Sequence, residues 1–137
     1  MTLTVRVIAP DSTVWDDSAE EVVLPSTTGQ LGILGSHAPL LSALDIGVMR
    51  LRPDRDWYVI ALEGGFVEVE NDEVTVLVNN AERGEAIDAD AARNALQQAQ
   101  AQLEQLQGSD DRQAQIQANQ VCKRARARLQ AATGQVE

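Results

Sequence analysis

The 137-residue sequence is poor in several of the groups on which protein chemistry depends: one cysteine, one histidine, 3% aromatics, and 11 Lys+Arg against 21 Asp+Glu. A single thiol cannot form an internal disulfide, which agrees with a reducing compartment. His37 and Cys122, far apart in the chain, do not supply the ligands of a structural zinc site, so no metal is expected. The formal charge of −10 repels a phosphate backbone, and so few aromatics offer little surface for stacking bases, which argues against nucleic acid as a partner. Apolar runs fall short of the roughly 18 residues of a membrane span, because Asp45, Arg50 and Glu63 interrupt the best candidates. The first residues lack a charged start followed by a long apolar stretch, so no signal peptide is expected and membrane association is expected only through another protein.

What is present divides near Ile87. Residues 1–87 carry 5 Lys+Arg and 15 Asp+Glu together with all four prolines, whereas residues 88–137 carry 6 of each and nearly all the glutamine. This contrast predicts two modules, 1–87 and 88–137. In the first, Leu3, Val5 and Val7 alternate with Thr4 and Arg6, Val59 and Ala61 with Ile60 and Leu62, Val67 and Val69 with Glu68 and Glu70, and Val74, Val76 and Val78 with Thr75 and Leu77. Period two means strands, and turn chemistry at Pro10-Asp11-Ser12, Pro25 to Gly29, Pro53-Asp54, Glu63-Gly64-Gly65 and Asn71-Asp72 separates them. Close spacing without helical periodicity predicts an antiparallel β-sandwich or barrel. Val22-Val23-Leu24 and Val76-Leu77-Val78 are apolar on both faces and are candidates for its centre.

The second module reads as an α-helical hairpin, with helices over about 89–107 and 112–133, so the fold class is α+β. Ala89, Ala92, Ala95, Leu96, Ala99, Leu103 and Leu106 share one arc behind Asp88 as N-cap. After Gly108-Ser109-Asp110-Asp111, Ala114, Ala118, Val121, Cys122, Ala125, Leu129 and Ala132 share a second stripe, with Gly134 beyond it as a C-terminal stop. Helix propensity here is high, yet an alanine seam buries little apolar area. Two behaviours are compatible with that combination: a hairpin permanently docked on the sandwich, or one that separates from it while remaining helical.

Chemistry is scarce. Asp16-Asp17 and Glu20-Glu21 are adjacent pairs, which on a strand point to opposite faces and cannot share one proton or water, so they read as a solvated edge and no catalytic residue is expected. Gly29, Gly32 and Gly35 match neither the dinucleotide nor the P-loop glycine spacing, and Cys122 falls on an apolar stripe that suits burial better than reactivity. One cluster stands out: Lys123, Arg124, Arg126 and Arg128 place four cations within six positions of an otherwise acidic chain. It is either a solvated face near a helix C-terminus or a docking surface for an acidic protein.

The segment Gly29-Gln30-Leu31-Gly32-Ile33-Leu34-Gly35-Ser36-His37-Ala38-Pro39, with Leu62-Glu63-Gly64-Gly65-Phe66-Val67 and Val74-Thr75-Val76-Leu77, resembles the epsilon subunit of the rotary F-type ATP synthase, and the Gln-rich, Ala-rich hairpin resembles the photosynthetic type. The resemblance implies a noncatalytic central-stalk subunit without a cofactor, in a peripheral membrane complex on the cytoplasmic face of a thylakoid or plasma membrane. It implies a ten-stranded sandwich bound to the gamma subunit and the c-ring, with Gln30, Leu31, Gly32, Ile33 and His37 in a loop that faces the ring and gamma. It further implies that the hairpin brakes ATP hydrolysis by extending toward the alpha and beta subunits, with Lys123, Arg124, Arg126 and Arg128 meeting acidic beta residues. Bacterial members carry an [I/L]-D-x-x-R-A nucleotide motif; here the counterpart residues Glu82, Asp88, Asp90 and Arg93 form a broken match, so weak or no ATP binding is expected. The other reading is a stand-alone β-sandwich adaptor whose hairpin is permanently docked and inhibits nothing.

Overall fold

The computed structural model describes residues 2–134. Eight strands precede two helices: β1 (Leu3–Ala9), β2 (Ser12–Ala19), β3 (Glu21–Ser26), β4 (Gly29–Leu34), β5 (Leu40–Arg52), β6 (Tyr58–Glu70), β7 (Glu73–Val78), β8 (Ala81–Arg83), α1 (Ala89–Gln105) and α2 (Arg112–Thr133). The strands pair in the order β2-β1-β7-β6-β5-β3-β4, with β8 on β6. All pairs are antiparallel except β1 with β7, which run parallel. Side-chain alternation is the same for either direction, so period two could not have announced that exception.

Glu63-Gly64-Gly65, expected as a turn, lies inside β6 instead. The β5–β6 ladder passes from Leu44↔Gly65 to Ile46↔Glu63, skipping Asp45 and Gly64, and Gly64 and Gly65 have φ of 74° and 136°. A Cβ at Gly65 would run into the Leu77 carbonyl oxygen and Val78 Cα, so only glycine lets β6 bend this close to β7. Both long strands thereby belong to two layers. One layer holds β2, β1, β7, the second half of β6 and the first half of β5; the other holds β4, β3, the second half of β5, the first half of β6 and β8. Eight strands thus provide the ten segments that the family resemblance implies.

The sandwich core comes from alternate residues of both layers: Leu3, Val5, Val7, Val67, Val69, Val74 and Val76 against Val22, Leu24, Ile33, Met49, Leu51, Ile60 and Leu62, all essentially inaccessible to solvent. The strand with two apolar faces is the first half of β6, whose Ile60 and Leu62 enter this core while Val59 and Ala61 join Ile46 and Val48 under the helices. In Val76-Leu77-Val78, by contrast, the middle residue is 52% exposed.

Both helices start at an aspartate. Asp88 accepts from the amides of Asp90 and Ala91 at 3.0 and 3.2 Å, and Asp111 accepts from Ala114 at 3.0 Å, so each cap satisfies amides that have no partner within the helix. Gln115 Nε2 donates to the carbonyls of Leu106 and Ser109, closing the connection between the helices, and Gly134 ends α2 in a left-handed conformation. α1 ends at Gln105, two residues before the expected position.

Candidate functional site

The structure brings the cationic cluster onto the sandwich. α2 lies across the outer face of the second layer, where Ala127 and Ala131 are buried against Ala61, Ile46, Val48 and Val59. At about 100° per residue, Lys123, Ala127, Ala131, Arg124 and Arg128 follow one another around some 140° of the helix, so two alanines are flanked by cations on both sides. The sheet offers the complement: Asp45 from β5, Glu63 from β6 and Glu82 from β8 surround the apolar patch. Lys123 Nζ lies 3.0 and 3.2 Å from the Asp45 carboxylate oxygens. Arg124 Nε lies 3.4 Å from Glu63, and Arg128 grips Glu82 with two donors, Nε at 2.7 Å and Nη2 at 3.2 Å. All six side chains are between 33% and 47% exposed, so these are surface pairs rather than buried ones. Arg126 points elsewhere; among the described residues it is exposed and has no ion pair.

The expected stripe of α2 is corrected here. Ala127 and Ala131, left out of it, are buried on the sheet, where Leu129 and Ala132 of the expected stripe are half-buried beside them, whereas Ala118 and Cys122 are buried on the opposite side, where α1 is the element packed against α2. Val121, expected within the stripe, is 45% exposed. The helix is covered on two sides, and the expected stripe takes in one of them and only the margin of the other. Gly84 marks the closest approach, since a Cβ there would run into the Ala131 carbonyl oxygen. Beside it Arg83 stacks on Trp15 at 4.8 Å and donates Nε to the Val14 carbonyl at 2.8 Å, anchoring the crossing from sandwich to hairpin.

The residues of the degenerate nucleotide motif do not form one cluster. Glu82 is held by Arg128, Asp88 caps α1, and Asp90 pairs with Arg93 at 3.0 Å one turn along the same helix. The Gln30–His37 stretch, expected as a loop, is strand β4 as far as Leu34. Alternation on that strand turns Ile33 into the core and half-buries Leu31, leaving Gln30, Gly32 and Leu34 outward; His37 is half-buried with Nδ1 2.7 Å from the Ala38 carbonyl oxygen. Glu20 and Glu21, read as a solvated edge, both reach Arg52, at 2.9 and 3.4 Å. Among the described residues no group of three or more His, Cys, Asp or Glu side chains could hold a metal, and no helix is long and apolar enough to cross a membrane.

A second surface was not singled out from the sequence. On the outer face of the first layer the register aligns Ile8, Leu77, Phe66 and Ala43 across four strands, with Phe66 57% exposed beside a depression of about 630 Å³ floored in part by Pro10 and Gly65. Its signal was Leu77, an apolar residue on the side of β7 opposite Val76 and Val78.

Residues 2–84 match the family described as ATP synthase, Delta/Epsilon chain, beta-sandwich domain, and residues 85–133 match ATP synthase, Delta/Epsilon chain, long alpha-helix domain. The chain belongs to the ATP synthase delta/epsilon family. It is similar to the ATP synthase epsilon chains of Acaryochloris marina, at 68% identity over 96% of this chain and 95% of that one, and of Thermosynechococcus vestitus, at 65% over 100% and 99%. The epsilon-type fold is also similar to a chain in the Euglena gracilis mitochondrial ATP synthase (OSCP, F1 and c-ring), with a TM-score of 0.80 at 20% identity, covering 96% of this chain and 81% of that one. A chain in the Tetrahymena thermophila mitochondrial ATP synthase central stalk and c-ring gives a TM-score of 0.61 at 13% identity, covering 95% and 96%.

Proposed function

We propose that this epsilon-family chain is a noncatalytic subunit of the central stalk of a proton-translocating ATP synthase, held at the membrane through that complex. In this reading the sandwich binds the gamma subunit and the c-ring and so couples rotation to proton flow. The row of half-buried Ile8 with exposed Leu77 and Phe66 is the kind of apolar patch that a permanent protein partner covers, and gamma is the assigned occupant because the solved relatives of this fold sit in central-stalk and c-ring assemblies. The outward side of β4 and the His37 loop form a separate edge, assigned to the ring. The hairpin acts on hydrolysis when α2 leaves the sandwich and its cations meet acidic residues of the beta subunit. The observation that carries this reading is the seam itself: a cationic helix held by partly exposed ion pairs over an alanine strip is attached weakly enough to move.

The test is reconstitution. Added to motor complex depleted of its epsilon chain, the wild type should lower ATP hydrolysis, and the variant with Lys123, Arg124, Arg126 and Arg128 all changed to Ala should bind the complex yet relieve at least half of that inhibition. Alanine keeps α2 helical, so loss of inhibition with assembly intact reports on charge. Equal inhibition by wild type and variant, with the same salt dependence, would reduce the cations to a solvated face and favour the adaptor with a fixed hairpin.

A further inference from the structure

We infer that Asp72 is a positioning residue: it ties the His37 loop to the layer that carries the row Ile8, Leu77 and Phe66, so that a load taken up by the loop reaches that row along a short, stiff path. This rests on the assignment above of the loop to the c-ring and of the row to gamma. Residues 35–39 carry the chain from β4 in one layer to β5 in the other, and within this crossing Ser36 has a left-handed φ of 64°. For a residue other than glycine that conformation costs energy and persists only where neighbours hold it. The Ser36 amide donates to Asp72 Oδ1 at 2.6 Å, across 36 positions of sequence. Asp72 is the second residue of the tight β6–β7 turn, where Asn71 and Asp72 have φ of 52° and 60° and Glu70 pairs with Glu73. Its own carbonyl accepts from the Thr4 amide of β1 at 2.8 Å. Among the described residues, the non-glycine positions with left-handed φ are therefore the two of this turn and the one that it clasps.

The turn by itself does not call for a carboxylate. Two left-handed positions in succession suit Asn followed by Gly best, since glycine takes positive φ without strain. Aspartate carries that strain here and contributes an anionic acceptor to an amide of the crossing segment, a stronger bond than one between neutral groups. From the turn, β6 and β7 lead as a paired hairpin to Phe66 and Leu77, which stand opposite each other on the gamma-assigned face. A paired hairpin is stiff along its length, whereas a surface loop is compliant unless something holds it between its ends. The Asp72 carboxylate supplies that hold, and the clamp is built entirely from the sandwich, without either helix.

The test compares Asp72→Gly, which keeps a favourable turn and removes the acceptor, with Asp72→Asn, which tolerates positive φ and keeps an acceptor oxygen. In the full chain, amide hydrogen exchange at Ser36 should quicken about fivefold in Asp72→Gly and stay within about twofold of wild type in Asp72→Asn, with the melting transition unchanged in both. In motor complex depleted of its epsilon chain and reconstituted with each variant in sealed vesicles, equal amounts should bind. Protons pumped per ATP hydrolysed should nevertheless fall about twofold with Asp72→Gly and recover with Asp72→Asn. A purely structural role would lower binding or the melting temperature and leave that ratio alone. Unchanged exchange at Ser36 in Asp72→Gly overturns the inference, because the carboxylate then does not hold the loop. His37→Trp, a change on the loop itself, separates this inference from the reading beneath it. A ratio lowered by His37→Trp but not by Asp72→Gly overturns the role of Asp72 and keeps the ring contact, whereas a ratio untouched by either removes the ring contact and the inference with it.

Discussion

Asp45 accepts from the Lys123 ammonium and, at 2.8 Å, from the Ile46 amide, and these contacts hold its carboxyl below the usual carboxylate range against the opposing effect of burial. The hydrogen bond from Lys123 is the largest cause, so the shift reports docking directly. A carboxyl that is more acidic in the folded protein stabilises it at pH values above its unfolded pKa, and that contribution fades as pH falls through the folded pKa. The Asp45–Lys123 contact is therefore complete near neutrality and is lost on acidification below about pH 4. In Lys123→Gln the Asp45 carboxyl should titrate at a higher pH than in wild type, because its main donor no longer carries a charge, while the Ile46 amide keeps part of the effect. Side-chain carbon chemical shifts followed against pH measure this. An unshifted Asp45 in the variant would mean that the carboxyl owes its acidity to the sheet alone and that the Lys123 pair is not formed in solution.

The start of α1 shows why a broken motif need not be an empty one. Asp88 is committed to two amides of the first turn, Asp90 and Arg93 neutralise each other, and Glu82 is committed to Arg128, so no cation of this set is left over for a polyphosphate. Titration of ATP into the isolated chain should give no saturable heat at micromolar ligand, and amide shifts centred on Glu82, Asp88 and Arg93 at that concentration would prove otherwise. These caps were readable in the sequence because a capping aspartate precedes its helix by one residue, just as the sandwich core was readable from alternation within single strands. The seam was not. Asp45, Glu63 and Glu82 stand 78, 61 and 46 positions before their partners, a separation no local period spans. The same holds for Ala127 and Ala131, whose small side chains between arginines look solvated until a sheet is placed against them. Glycine misled in the opposite direction: Gly64-Gly65 has turn chemistry, yet its left-handed φ values bend one continuous strand between two layers.

The sandwich and the hairpin share a small alanine-rich cluster but not the main core. Among the described residues, the large buried cluster draws only on positions between Leu3 and Ala81, while the cluster beneath α2 joins Ala61 and Ile87 to Ala92, Ala127 and Ala131, with Ile46, Val48, Val59, Leu129 and Ala132 at its margins. The proposed modules, 1–87 and 88–137, should accordingly differ in independence: residues 1–87 keep every strand pair and every member of the larger core, so this fragment should fold alone, with a cooperative melting transition and a β-type circular dichroism spectrum. Its apolar row at Ile8, Leu77 and Phe66 lies on the layer away from the helices, so binding to gamma should survive as well. What the fragment loses is charge balance. It carries 5 cations against 15 acids, and Asp45, Glu63 and Glu82 no longer face the hairpin's Lys123, Arg124 and Arg128. Net charge of one sign destabilises a compact chain through self-repulsion, and added salt screens it. In the full chain salt has two opposing effects, relieving that repulsion while weakening the three seam pairs. The fragment's melting temperature should therefore climb with sodium chloride more steeply than that of the full chain. An unfolded fragment, or one that no longer binds gamma, would mean that the helices complete the sandwich rather than rest on it.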